Sequence, residues 1–199
     1  MKTNNMNVLS INKTIRTDLL SIGLMTCLMS SLAYAEVRLP HLLSDNMVLR
    51  REMPIPVWGW ANPNEKVTVR LGKSSASATA GTNGQWSVKL PKMSAGGPYQ
   101  LTVTGVNTLT LNNVMIGEVW LCSGQSNMHW TMYPGWGVVN NDAEVAAANY
   151  PNIRMFTVAK SGASKMADDA DGVWLPISPA NLMVGGGGRS VSGGLLLWP

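Results

Sequence analysis

Glu65-Lys66-Val67-Thr68-Val69-Arg70-Leu71 alternates apolar and polar side chains without a break. A strand sends successive side chains to opposite faces, so Val67, Val69 and Leu71 line one face and Lys66, Thr68 and Arg70 the other, as in a half-buried strand. The same period recurs in Gln85-Trp86-Ser87-Val88-Lys89-Leu90 and in Gln100-Leu101-Thr102-Val103-Thr104. Between the strand around Ala76 to Ala80 and the Trp86 strand stands Gly81-Thr82-Asn83-Gly84. Its Asn-Gly pair tolerates positive φ and predicts a hairpin turn. Short alternating segments divided by turn residues continue from Glu36 to about Asn113, and together they predict an antiparallel β-sandwich over residues 36–113.

Beyond Asn113 the texture changes. Val114 to Cys122 is nearly continuously apolar apart from Gly117 and Glu118, the pattern of a strand buried on both faces in a parallel sheet. Asp142-Ala143-Glu144-Val145-Ala146-Ala147-Ala148 predicts a helix, its acids in the first turn complementing the dipole, and Tyr150-Pro151 stops it. Ile153 to Val158 predicts a second strand. Strand, helix, strand opens an α/β domain over 114–183.

The outer limits follow from composition. Of 199 residues, 45% are hydrophobic and 13% charged, with 20 Gly and 11 Pro. Charge is well below the roughly 25% of an ordinary domain, which excludes a disordered tail or a coiled coil and suits a loop-rich, β-containing fold. Residues 1–35 read as a secretory signal peptide: Lys2, Lys13 and Arg16 precede the apolar run Leu19 to Ala33, and Ala33-Tyr34-Ala35 offers a cleavage site. The run is short of the roughly 17 to 25 residues that span a bilayer. Leu24-Met25-Thr26-Cys27 is a poor lipidation site, since Gly or Ala normally precedes a lipidated Cys. The expectation is an exported chain, periplasmic or secreted, with no membrane contact after cleavage. Without residues 1–35 there remain 12 Lys and Arg against 10 Asp and Glu. No basic stripe survives, so nucleic acid is not an expected partner. Cys27 leaves with the leader, and Cys122 then has no partner for a disulfide within the chain.

Chemistry concentrates in Gly117-Glu118-Val119-Trp120-Leu121-Cys122-Ser123-Gly124-Gln125-Ser126-Asn127-Met128. A Ser after the carboxyl end of a parallel strand sits where open α/β sheets place ligands. Gly124 permits a tight turn, and a helix beginning near Ser126 would aim free N–H groups at a developing oxyanion. An isolated Gly-x-Ser is more often a plain strand-to-helix turn with a capping Ser. Here the twelve-residue context resembles the nucleophile block of the sialate O-acetylesterases, a branch of the SGNH (GDSL-like) hydrolases. Leu39-Pro40-His41-Leu42-Leu43-Ser44-Asp45-Asn46-Met47-Val48-Leu49 and Pro56-Val57-Trp58-Gly59-Trp60 are likewise similar to the opening of the β-sandwich that precedes the catalytic domain in that family. The resemblance covers about residues 36–183. It implies a β-sandwich followed by an incomplete three-layer α/β domain, and metal- and cofactor-independent removal of acetyl groups from sugars such as sialic acid. It also implies Ser126 as the nucleophile of a serine-dependent carboxylic-ester hydrolase, its N–H an oxyanion donor.

The departures matter equally. The family activates its Ser with an Asp-x-x-His pair, and no Asp-x-x-His occurs in this sequence. From Val184 the chain becomes Gly185-Gly186-Gly187-Gly188-Arg189-Ser190 and then Leu195-Leu196-Leu197-Trp198-Pro199, an aberrant tail over 184–199 that suggests a frameshifted or truncated product with little activity. His129, three residues after Ser126, is the one local substitute for a base. Cys122 reads as a small hydrophobe in a strand, and His41 as a hydrogen-bonded structural residue. His41 and His129 are the only histidines in the sequence, which excludes a multi-histidine metal site. Trp58, Trp60, Trp86, Trp120, Trp130 and Trp136 support an alternative function, a non-catalytic carbohydrate-binding sandwich. Trp86 and Trp120 read as core. Trp130 and Trp136, with Tyr133, Pro134, Gly135 and Gly137, suit a pocket mouth.

Overall fold

The computed structural model describes residues 36–122, 132, 139–158, 167–186 and 194–198, with the backbone alone for 183–186 and 194–198. The leader expected over 1–35 lies outside them. The elements run β1 (Val48–Arg50), β2 (Ile55–Trp60), β3 (Lys66–Leu71), β4 (Ser74–Thr79), β5 (Gln85–Leu90), β6 (Gly96–Thr104), β7 (Thr108–Leu121), α1 (Asn141–Ala147), β8 (Tyr150–Val158), β9 (Gly172–Ile177), α2 (Pro179–Gly186) and β10 (Gly194–Trp198). The chain is therefore mostly β-strand. The larger sheet is curled into a half-barrel in the order β4-β3-β6-β7-β10-β8-β9, with β1 parallel to β7, and β2 and β5 form a separate antiparallel pair.

Alternation in the sequence becomes alternation of burial. Val67, Val69 and Leu71 of β3 are buried while Lys66 and Arg70 face solvent, and Trp86, Val88 and Leu90 of β5 are buried between exposed Gln85, Ser87 and Lys89. These inward residues join Ile55, Val57, Leu101, Val103, Val114 and Ile116 in one hydrophobic core shared by both sheets. Each such side chain contributes about 1.5–3 kcal/mol relative to exposure. The ion pair of Arg51 Nε with Glu118 Oε1 at 2.6 Å is half-exposed on both sides, and exposed pairs contribute at most about 1 kcal/mol. Apolar burial dominates.

Gly59 stands opposite Trp86 across the β2–β5 ladder. A Cβ there would collide with the Arg38 carbonyl oxygen and stand 3.1 Å from the Trp86 ring. Glycine thus lets the Arg38 backbone bridge to Trp60, N–H to O at 2.9 Å in both directions, while the indole covers the bare position.

Four sequence expectations change form. Gly81 to Gly84 does not close a hairpin: β4 pairs with β3 and β5 with β2, so the turn carries the chain from one sheet to the other. Gly84, at φ 78°, and the Asn83 side chain accepting from Gln85 N–H at 3.1 Å shape that crossing. Second, β7 is buried on both faces only from Val114 to Gly117, and Trp120 is 60% exposed rather than core. Third, the strand pairing expected after residue 114 is not a run of parallel neighbours. β10 lies between β7 and β8 and is antiparallel to both, and β9 is antiparallel to β8. Last, residues 194–198, part of the tail read as aberrant over 184–199, supply that intervening strand.

The position 113/114, expected to divide two domains, falls inside β7. Its first part pairs with β6 through Ile116, Met115 to Gly117 pair with β1, and Glu118 to Leu121 pair with β10. One strand of 14 residues thus passes from the core to an exposed end at Leu121. The expected helix is present as α1, with Asp142 and Glu144 in its first turn and Asn140 in the left-handed region before it. No helix among the described residues is long and apolar enough to cross a membrane.

Candidate active site

The candidate nucleophile Ser126 follows the outgoing end of β7 in sequence. Past the buried Val114–Gly117 segment, Val119 is half-buried, Trp120 exposed and Leu121 82% exposed. Cys122 follows the strand, half-buried and in no disulfide, rather than within a buried strand interior. Ser126 lies four residues further on, outside the described residues, as do Gly124, Asn127, His129, Trp130, Tyr133, Pro134, Gly135, Trp136 and Gly137. Among the described residues, Asn141 Nδ2 donates to the Met132 carbonyl at 2.8 Å. Asn141 then begins α1.

Beneath β7 a buried cation ties three segments together. Arg154 of β8 is 3% exposed. Its Nη1 donates to the Asn46 carbonyl at 3.0 Å and to the Asn113 carbonyl, and its Nη2 donates to Asn113 Oδ1 at 2.9 Å. Asn113 Nδ2 donates in turn to Asn46 Oδ1 at 2.7 Å. Asn46 and Asn113 both have positive φ, 65° and 57°, a conformation that asparagine tolerates better than most residues. Burial lowers the pKa of Arg154, yet a guanidinium keeps its charge, so the carbonyl dipoles must solvate it. The node fixes β8 against β7 where the latter enters the core, one residue before the buried Val114.

A second junction was legible only in part. His41 is hydrogen-bonded, as expected, and its partner is Asp169: Nδ1 to Oδ2 is 2.7 Å. The N–H groups of His41 and Ala170 donate to Asp169 Oδ1 at 3.0 and 2.8 Å. Partial burial opposes ionisation of Asp169, but these bonds outweigh it and hold the carboxyl below its ordinary value. Trp174 Nε1 adds a bond to the Leu42 carbonyl at 2.8 Å, and its ring packs on Phe156 with centroids 5.2 Å apart. The arrangement docks the 169–174 segment on the 41–42 turn.

Among the described residues no cluster of three His, Cys, Asp or Glu side chains could hold a metal ion. Of the tryptophans, Trp86 is 4% exposed and packed in the core, whereas Trp58 and Trp60 are half-buried and line an open cleft.

No protein-family model matches the chain. Curated relatives do. The sialate O-acetylesterase of Rattus norvegicus is 31% identical over 160 residues, which cover 73% of this chain and 29% of the relative. That of Homo sapiens is 30% identical over 144 residues, 66% of this chain and 27% of the relative. A crystal structure of a carbohydrate acetylesterase from Xanthomonas citri superposes with a TM-score of 0.70 at 38% identity, over 78% of this chain and 35% of that one. In fold and sequence the chain is thus akin to the carbohydrate acetylesterases. It belongs to the sialate O-acetylesterase family. It spans a little over a quarter of the length of the curated relatives it matches.

Proposed function

We propose that the chain carries the nucleophile of a serine-dependent carbohydrate esterase acting on O-acetylated sugars, sialic acid or a related sugar, with Ser126 as that nucleophile. The observation that carries the reading is kinship: the relatives are acetylesterases, and the block Gly117 to Met128 resembles that family's nucleophile block. On this reading the two-sheet core is the accessory sandwich, β7 opens an SGNH-type α/β domain, and the chain is exported by its first 35 residues. Ser126 Oγ attacks the acetyl carbonyl carbon while a base takes its proton. The sugar oxygen leaves with a proton, and water then hydrolyses the acetyl-serine, releasing acetate. The Ser126 N–H stabilises the oxyanion, and no metal or cofactor takes part.

A serine hydroxyl without a positioned base is a poor nucleophile, and triad-deficient enzymes keep only the small effect of the oxyanion hole and binding. The sequence has no Asp-x-x-His. His129 would come within about 5–6 Å of Ser126, Cβ to Cβ, on a shared helix face, with no following Asp at a spacing that would orient it. The purified chain should therefore hydrolyse acetyl esters at a rate near the uncatalysed background. Robust turnover lost in both Ser126→Ala and His129→Ala would show instead that His129 supplies the base.

A further inference from the structure

We propose that the outer face of the β2–β5 pair binds a neutral oligosaccharide of pyranose rings, using residues separate from the acyl-transfer chemistry assigned to Ser126. Trp58 and Trp60 are two residues apart on β2, so both indoles stand on the face opposite Val57 and the core, about 7 Å from each other. Ser87 and Gln85 face outward beside them on β5. With Thr79 and Asp168 these side chains line an open cleft of about 580 Å³, within the range of small-molecule sites.

A pyranose ring is amphipathic, with a C–H face that packs on an aromatic ring and a rim of hydroxyls that need hydrogen bonds. The cleft supplies both. Thr79 and Ser87 bring hydroxyls and Asp168 a carboxylate to its lining. The Arg38 guanidinium lies 4.5 Å from the centre of the Trp60 ring. That stacking holds the indole plane before any ligand arrives and so lowers the ordering cost of binding.

Length and charge narrow the ligand. A second hollow of about 280 Å³, lined by Glu36, Pro63 and Asn83, shares Trp60 with the first, so a ligand of more than one ring can use both. Facing these hollows are two carboxylates, Glu36 and Asp168, and one cation, Arg38, which is engaged with Trp60. Nothing there favours an anionic sugar, and a neutral chain fits better than a sialoside.

The test is calorimetric titration of the full chain with cellotetraose, maltotetraose and xylotetraose. At least one should bind, and Trp58→Ala and Trp60→Ala should each weaken it by about tenfold or more. Because Trp58 also packs against the edge of the core, Ser87→Arg serves as the second variant: it fills the cleft from an exposed position, and should abolish binding with the melting temperature unchanged. Trp120→Ala, at an exposed tryptophan away from the cleft, should leave affinity as it was. Failure of all three sugars to bind at about 10 mM, or undiminished binding by Ser87→Arg, would overturn the proposal. Neither outcome depends on whether Ser126 is a nucleophile.

Discussion

Arg154 shows how much one residue can carry. Its guanidinium spans two carbonyls and a side-chain amide on segments 41 and 108 positions away in sequence. Arg154→Met would remove all three bonds, a loss of about 1.5–3 kcal/mol, the usual contribution of hydrogen bonds to a charged group. Urea denaturation should show the midpoint fall accordingly, with Arg154→Lys intermediate because one ammonium cannot reach all three acceptors. Asp169 offers a pH-dependent counterpart. Its carboxyl is held below the ordinary value, so its bonds contribute above the ordinary carboxylate range and are lost as pH falls through the depressed value. Amide exchange at His41 and Ala170, whose N–H groups donate to it, should lose protection relative to the intrinsic rate as pH falls below the ordinary carboxylate range, and Asp169→Asn should remove most of that dependence. None of Arg154, Asn46, Asn113 or Asp169 was legible as a partner in the sequence. Their bonds join distant segments and leave no periodic trace, whereas Ser126 stood out because its whole signal lies within twelve consecutive residues.

At the scale of elements, legibility followed burial. β3 and β5 are each buried on one face, and a half-buried strand writes its orientation into a period of two. The turn at Gly81–Gly84 was readable as a turn but not as a crossing, because Asn-Gly reports local backbone conformation and says nothing of which strands pair beyond it. β7 misled in another way: its apolar run continues to Leu121 although burial ends at Gly117. The β2–β5 pair yields a sharp prediction. Gly59→Ala must displace the Arg38 backbone or the Trp86 ring, and overpacking of this kind costs about 1–3 kcal/mol. A thermal melt should register the loss. Gly84→Ala should be destabilising by a similar amount for a different reason, since its φ of 78° is unfavourable for any Cβ and the Ala61 carbonyl oxygen stands 2.8 Å from the added atom.

Across the whole molecule, apolar exposure gathers beyond the core. Trp120, Leu121, Val139, Tyr150 and Val173 are all more than half exposed, while the residues between Val37 and Ile116 supply most of the buried core. A surface of this kind should bind an apolar dye such as anilinonaphthalene sulfonate in the native state, whereas a patch-free domain would not. Limited proteolysis should leave a resistant fragment that ends near residue 121 rather than at 113, because β7 stays in ladder pairing with β6 to Ile116, with β1 to Gly117 and with β10 to Leu121. Uniform resistance to residue 199 would contradict that. The central claim, that Ser126 is the nucleophile of an acetylesterase block and lacks only its activating partners, is tested most directly by transplanting residues 36–183 in place of the matching region of the Xanthomonas citri acetylesterase. Acetyl-ester hydrolysis by the chimera should rise far above background and return to it with Ser126→Ala. A chimera that folds, as judged by its melting transition, yet is inactive, or one that keeps its activity when Ser126 is replaced, would contradict the account.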